Sequence, residues 1–446
     1  MSCSGPVHAV GIISLGCPKN LVDTEVMLGL LRAAGFTITG DVKQADLLIV
    51  NTCCFIGAAR DESAEELEKA AELRRSGEIG ALICAGCWPE RDAALLREQF
   101  PEIDALMGPG DVGDIVSIAN SALSGSAAGR TPSPPLYLFD GSTPRLRATP
   151  LWTAYLKIAE GCDHRCRFCI IPRIRGPYRS RSLASVVTEA RQLADDGVKE
   201  VNLIAQDVTA YGRDIQGPDI VDLLAALANV DGLRWIRLLY SFPSRVTPRL
   251  IEVMATRPTI CKYIDVPLQH ADREVLRQMG RPGDADEFLK LVADLRSAMP
   301  DIAIRSTFLV GFPGESEEAF EHLLEFLEAA QLDRAGAFPY SREPGTPAAD
   351  MPDQVPQDVA QERYHRLMTS QQAISLARNR RWLGRQIEVL IESHGQGRDQ
   401  WIGRSFRDAP EIDGSVLVKA RRRLRPGQFV STTVIDAQPY DLVARV

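Results

Sequence analysis

Gly161-Cys162-Asp163-His164-Arg165-Cys166-Arg167-Phe168-Cys169 sets three cysteines on one short loop in the spacing C-x3-C-x2-C. The loop follows an apolar run, Ala154 to Ala159, that reads as a strand. A [4Fe–4S] cube normally takes four cysteines, so three thiolates leave one iron without a protein ligand. An open iron can chelate a small molecule, and the loop then describes a reactive centre. An electron-transfer centre would be closed by a fourth thiolate. The competing reading is a zinc knuckle. Zinc prefers four tetrahedral ligands, commonly in paired C-x2-C units. This loop offers one such step, an odd cysteine, and His164 as a cramped fourth ligand.

Downstream of the loop, strand-like runs recur at Glu200–Ala205, Trp235–Tyr240, Tyr263–Val266, Ala303–Val310 and Ala335–Pro339. Helical patterns separate them, at Leu183–Asp196, Ile220–Ala228, Ala285–Ser297 and Glu317–Ala330. Six repeats of strand then helix predict a partial (β/α)6 barrel over residues 146–375, with its chemistry on the loops at the strand carboxyl ends. The cysteine loop follows the first of those strands.

Upstream, residues 6–123 alternate in the same way. Strands are expected at Val10–Leu15, Asp46–Asn51 and Ala81–Ala85, and helices at Val22–Ala34, Ala58–Arg75 and Arg91–Phe100. That alternation predicts a parallel α/β domain. Cys17, Cys53 and Cys87 each stand just past the end of one of its strands. In a parallel sheet those ends share an edge where ligands bind. The positive field of the following helix N-termini favours thiolate there. Cys17, Cys53 and Cys87 are therefore candidate ligands of a second metal centre, with buried apolar cysteines as the bland alternative. Cys3, Cys54, Cys84 and Cys261 read as packing residues.

Residues 124–145 are rich in Ser, Gly and Pro and read as a linker. Residues 376–446 change to short β runs at Ile387–Glu392, Trp401–Gly403, Val416–Lys419 and Phe429–Val434, which suit a small antiparallel barrel. The 446 residues carry a net charge of −8, yet the last 71 hold thirteen Lys/Arg against eight Asp/Glu. An acidic body with a basic tail suits a basic macromolecule on the body, or nucleic acid near the tail, with Arg421-Arg422-Arg423-Leu424-Arg425 as the basic patch. No apolar run is long enough to span a bilayer, and Met1–Pro6 lacks the charged and apolar regions of a signal peptide. Ten cysteines in such a composition indicate metal or redox chemistry in a reducing cytoplasm.

The cysteine loop, with Phe168 before its third cysteine, resembles that of the radical S-adenosylmethionine (SAM) enzymes. The resemblance implies a [4Fe–4S] cluster on Cys162, Cys166 and Cys169 that binds SAM. It also implies that one electron cleaves SAM to a 5′-deoxyadenosyl radical. Two three-cysteine sites and a small β barrel together resemble the methylthiotransferases over nearly the whole chain. The matching segments are Ser14 to Asp23, Glu160 to Cys169 with Ile170-Ile171-Pro172 and Arg175-Gly176, and the TRAM-like Ile402–Ser405 and Ala409–Gly414. One branch of that family modifies a tRNA adenosine. The other modifies an aspartate β-carbon of small-subunit ribosomal protein twelve. Cys17-Pro18-Lys19-Asn20, Ala205 to Gly212 with Gln206 and Asp207, Pro267 to Ala271, and Phe338 to Glu343 look like the second branch.

The resemblance further implies a second [4Fe–4S] cluster on Cys17, Cys53 and Cys87, an electron donor such as flavodoxin or ferredoxin, and a sulfur source. RNA contact through the C-terminal domain is also implied. Cys54 stands where this branch often has glycine, and Cys53 is the neighbour that aligns with the family ligand. Thr307 to Glu315 resembles the segment that passes the SAM adenine, which makes Gly311 and Gly314, with Gln206, candidate SAM contacts. A structural turn is the alternative for the glycines. His270 reads as structural or substrate-facing. The tRNA reaction and a zinc-stabilised RNA-binding protein without catalysis are the other functions this sequence allows.

Overall fold

The computed structural model describes residues 8–127 and 130–446. Cys3 and the first residues of the expected N-terminal domain lie outside the described residues. Strands β1 (Ala9–Ser14), β2 (Thr37–Ile38), β3 (Leu47–Thr52), β4 (Ala81–Gly86) and β5 (Ala105–Met107) form a parallel sheet ordered β2-β1-β3-β4-β5. Every residue of β3 and β4 is buried, as continuous apolar runs covered on both faces require.

Helices α1 (Pro18–Ala33), α2 (Gly57–Ser76), α3 (Cys87–Gln99) and α4 (Ile115–Leu123) flank the sheet. The apolar period alone places the start of α1 at Val22. The helix begins at Pro18, whose ring presets the backbone of a first turn, so it leaves directly from Cys17. Similarly α3 starts at Cys87 and bends at Asp92 (φ −154°, ψ 70°), and the expected start at Arg91 marks the piece near that bend.

The central domain holds β6 (Thr153–Lys157), β7 (Ala159–Glu160), α5 (Ile171–Arg175), β8 (Arg179–Ser180), α6 (Leu183–Asp195), β9 (Glu200–Ile204), α7 (Ile220–Leu227) and β10 (Trp235–Leu238). It continues with α8 (Pro248–Thr256), β11 (Ile260–Asp265), α9 (Arg273–Met279), α10 (Ala285–Ala298), β12 (Ala303–Val310), α11 (Glu317–Ala330) and β13 (Arg334–Pro339). Six parallel strands, ordered β6-β9-β10-β11-β12-β13, make the partial barrel. The strand expected at 154–159 is split. β6 pairs with β9, whereas β7 turns away to pair with β8.

The long helix α12 (Gln357–Arg380) runs through residue 376 and leads into β14 (Gln386–His394), β15 (Gln400–Ser405), β16 (Val416–Lys419), β17 (Phe429–Ala437) and β18 (Leu442–Arg445). These close into a barrel ordered β14-β15-β16-β18-β17. An open half-barrel needs its interior filled, and the loop after β15 does this. Arg237 on β10 donates to the Phe406 carbonyl (2.6 Å) and to Glu200 Oε1 (3.0 Å). Arg404 donates to Glu200 Oε2 (2.6 Å), and the Tyr263 hydroxyl donates to Asp413 Oδ2 (2.6 Å). Charged residues on buried strands are thus paired with the C-terminal domain, as buried charges must be. Several tail arginines are consumed this way: Arg378 and Arg407 pair with Asp333, and Arg385 with Asp301. Much of the basic excess therefore neutralises the acidic body.

The segment read as a linker has no helix or strand between residues 130 and 145, but it is bonded along its length. Asp111 holds Arg130 (2.8 Å) and the Ser133 amide, and Gly141 N donates to Ser185 Oγ (2.9 Å). Arg145 joins Glu25 of α1 to Glu189 of α6. The Pro144 carbonyl lies where a Cβ on Gly29 would stand, 2.3 Å away, so α1 carries glycine there. The segment is a strap that fixes the first two domains against each other. Its composition reports irregular backbone and is silent about bonding. Among the described residues no helix is long and apolar enough to cross a membrane.

Candidate active site

Eleven of the sixteen residues of α1 are buried, including Asn20, Asp23, Thr24 and Glu25. Buried polar groups require partners, and these partners build the site. Asn20 Nδ2 donates to the carbonyls of Leu15 (3.1 Å) and Thr52 (2.9 Å), while its Oδ1 faces the Cys87 thiol at 3.5 Å. One side chain thus ties together the ends of β1, β3 and β4, three neighbouring strands. Thr52 and Gly86, the residues before Cys53 and Cys87, are register partners. Gly16 (φ 86°) leaves no room for a Cβ, which would lie 2.9 Å from Cys53 Sγ. Gly86 (φ 95°) likewise abuts Asn51 Oδ1. The sheet edge brings Cys17, Cys53 and Cys87 together. Cys54 and Cys84 are fully buried in a core with Leu48, Val50 and Leu67 that Cys87 also joins, and Cys261 is buried in a second core.

The second trio follows β7. Gly161 (φ 82°) packs so closely on Pro177 that a Cβ would lie 2.0 Å from its carbonyl. Cys162 N donates to the Gly176 carbonyl, and Cys169 N to the Cys166 carbonyl, both at 3.1 Å. Arg281 Nη1 faces Cys166 Sγ at 3.7 Å. Phe168 meets Phe312 edge to face at 6.5 Å, linking the loop to the turn after β12.

Four buried charges lock the two edges together. Arg175 and Glu160 bracket the cysteine loop. Arg175 Nη1 donates to Asp23 Oδ2 (2.7 Å) and Glu160 Oε2 (2.9 Å), and its Nη2 donates to Asn20 and reaches Cys87 Sγ at 3.4 Å. Lys157 donates to Glu160 (2.8 Å) and to Asp23. Burial alone would raise the Glu160 carboxyl, but Arg175 and Lys157 outweigh it and hold it well below the usual carboxylate range. Asp23, Glu160 and Arg175 lie inside motifs legible in the sequence. Lys157 sits in an apolar strand and gave no signal.

Burial pushes the thiols of Cys87 and Cys169 up to about 12 and that of Cys162 to about 11, and it raises Cys53 as well. Burial thus outweighs the helix N-termini expected to favour thiolate at Cys53 and Cys87, and these thiols must release their protons to ligate a metal. With N–H donors from Arg175 and Arg281 on two of the sulfurs, both trios have the donor chemistry of an iron–sulfur centre. A zinc knuckle fits less well. His164 is held elsewhere: its Nε2 bonds Asp207 Oδ2 (2.7 Å) and its ring stacks on Phe242 at 3.9 Å.

The three candidate SAM residues have protein neighbours. Gln206 Nε2 donates to Glu160 Oε1 (2.8 Å), and its Oε1 is buried without a partner. A Cβ on Gly311 would lie 2.3 Å from Ala360 Cβ of α12, and one on Gly314 would lie 2.5 Å from Gln278 Oε1. Helix packing therefore accounts for both glycines. His270 is fully buried. Its Nδ1 accepts from Asp272 N (3.0 Å), a structural contact.

The sequence compares as this geometry leads one to expect. Residues 156–327 match the radical SAM superfamily, 9–108 the uncharacterized protein family UPF0004, and 383–446 the TRAM domain. The chain is 49% identical to "Ribosomal protein uS12 methylthiotransferase RimO" of Desulforamulus reducens, over 98% of this chain and 99% of that one. It is 46% identical to the protein of the same name from Geobacter sulfurreducens, over 99% of both. The chain belongs to the RimO family of radical SAM methylthiotransferases. It is an enzyme of that type, and radical SAM membership implies a [4Fe–4S] cluster and SAM. The fold has a solved counterpart in the radical SAM methyltransferase TsrM of Kitasatospora setae, with TM-score 0.55 at 17% identity, covering 74% of this chain and 72% of that one. Against the RimO family background, the Arg175 network joins the part that matches UPF0004 to the part that matches radical SAM.

Proposed function

We propose that this enzyme adds a methylthio group to the β-carbon of an aspartate in ribosomal protein uS12. Cys162, Cys166 and Cys169 would hold the cluster that binds SAM, and Cys17, Cys53 and Cys87 a second [4Fe–4S] cluster. When bound, these groups supply a carbon radical, a methyl group and a sulfur to be transferred. The chain's own residues do the positioning. Asn20 draws three strand ends to one point. Arg175 donates to Cys87 and to Asp23 and Glu160, fixing one trio relative to the other. The observation that carries the reading is this contact: the residue that closes the radical SAM loop touches a thiol of the second trio. An unactivated C–H bond beside a carboxylate needs radical chemistry, and the sulfur must wait within reach.

An electron donor such as flavodoxin or ferredoxin and a sulfur source complete the reaction. Gln206, Gly311 and Gly314 remain the proposed SAM neighbours, the two glycines through backbone atoms. Arg421, Arg422, Arg423 and Arg425 are exposed and form no ion pair among the described residues, which favours RNA contact beside the substrate protein. The relatives' names support uS12 over tRNA. Deleting the gene and weighing uS12 peptides beside tRNA nucleosides tests the choice. The expected result is disappearance of the methylthio group from uS12 with tRNA unchanged. Loss of methylthioadenosine with unaltered uS12 would overturn the reading.

A further inference from the structure

Lys19 is the second residue of α1, two positions beyond Cys17, and it is 7% exposed. Its ammonium stands 3.0 Å from the centre of the Tyr240 ring. Tyr240 lies just past β10, on the mouth of the half-barrel, with a left-handed backbone (φ 64°). Such a conformation in a non-glycine residue persists only where its surroundings enforce it, and it clusters at functional sites. Lys19 therefore reaches from the edge that carries one cysteine trio to the mouth that carries the other.

The charge of Lys19 is unanswered. Among the described residues its ammonium makes no hydrogen bond and no ion pair, although it has three donors. The cations around it are all satisfied. Lys157 has Asp23 and Glu160, and Arg175 has the same two carboxylates. Arg305 has Asp265 (2.8 Å) and Asp413 (3.4 Å). Asp265 is a neighbouring acid, but its Oδ1 is taken by Arg305 and its Oδ2 by the Tyr240 amide (2.9 Å). A buried cation without a partner is strongly unfavourable, and a ring face answers it only in part.

We infer that Lys19 is the receptor for the side-chain carboxylate of the substrate aspartate. This rests on the aspartate reading above and deepens it. The reacting β-carbon is bonded directly to that carboxyl carbon. A charge-assisted hydrogen bond from Lys19 to a carboxylate oxygen therefore holds the reacting carbon two bonds beyond that oxygen, between the two trios. Lys19 acts as a specificity residue, because an adenosine has no anion to offer it. The same ammonium could instead take the methionyl carboxylate of SAM, and the experiment separates the two.

The test uses anaerobically purified holoenzyme with SAM present and measures binding of purified uS12 and of uS12 with asparagine at the modified aspartate. The native enzyme is expected to prefer the aspartate protein by about tenfold or more, the usual worth of a hydrogen bond to a charged group. Lys19→Met should bind both proteins equally, at the level of the native enzyme with the asparagine protein. Its affinity for SAM should stay within twofold. Lys19→Arg, which keeps the cation, should retain part of the preference. A preference that survives in Lys19→Met, or a loss of SAM affinity in that variant, overturns the inference while leaving the substrate reading intact. A native enzyme that binds neither protein above background overturns the substrate reading, and the role of Lys19 with it. Equal binding of both by the native enzyme overturns the inference without recourse to any variant.

Discussion

Replacing Asp23 by Asn keeps its shape and removes one of two anions from the buried cluster that joins the first two domains. Lys157 and Arg175 would then share Glu160 alone. Both cations are at least nine-tenths buried, so solvent cannot make good the loss. Breaking a buried ion pair from one side costs about 3–5 kcal/mol. Lys157→Met should cost a similar amount, because it leaves two carboxylates to Arg175. The double variant removes one charge of each sign and should cost clearly less than the two singles together. A coupling of about 1.5–3 kcal/mol is expected for residues in one network. The assay is urea unfolding of anaerobic protein, followed by a probe in the N-terminal domain and by cluster absorbance, for all four forms. Single effects below about 1 kcal/mol, or additivity within about 0.5 kcal/mol, would refute the idea that these charges clamp the domains together.

Other consequences follow from the same contacts. Cys17→Ala should retain SAM cleavage and abolish sulfur insertion, whereas Cys166→Ala should abolish both; equal loss of cleavage in the two, measured as 5′-deoxyadenosine, contradicts the division of labour. In Gly86→Ala the new Cβ would lie 2.3 Å from Asn51 Oδ1 on a backbone with φ 95°, so the second trio should lose its iron while the radical SAM loop keeps its own, read by iron analysis and EPR. Glu200 is held at about 2, because Arg404 and Arg237 outweigh its burial. Its unfolded value is about 4.3, so its contribution is complete above that pH and is lost as pH falls toward 2. Acid unfolding of cluster-free protein, followed by circular dichroism, should show that loss, and Glu200→Gln should remove this portion of the pH dependence.

The cysteine loop and the strand ends bearing Cys17, Cys53 and Cys87 were legible because spacing and alternation are local properties of a sequence. The three architectures followed from the same periodicities. The network that makes the site one unit was not legible. Asn20, Asp23, Glu160 and Arg175 stand inside recognisable motifs, but Arg175 meets Asn20 and Asp23 across more than a hundred positions of chain. Lys157 hides in an apolar run because its partners come from other elements. The Ser/Gly/Pro-rich segment looked like a tether, since composition cannot register that Glu25 and Glu189 hold Arg145. The pairing of part of the basic tail was not legible either, because the acids that hold Arg378, Arg404 and Arg407 lie in the central domain. Helix α12 escaped because its polar sequence lacks a clean apolar stripe, and it buries Arg363, Gln371 and Asn379.

Iron content tests most directly whether the chain holds two three-cysteine iron–sulfur centres. Anaerobically reconstituted protein should carry about eight irons per chain, the total for two four-iron clusters, and replacing Cys17, Cys53 and Cys87 together by Ala should leave about four. Colourless protein with stoichiometric zinc, or an iron content unchanged by the triple substitution, would contradict it.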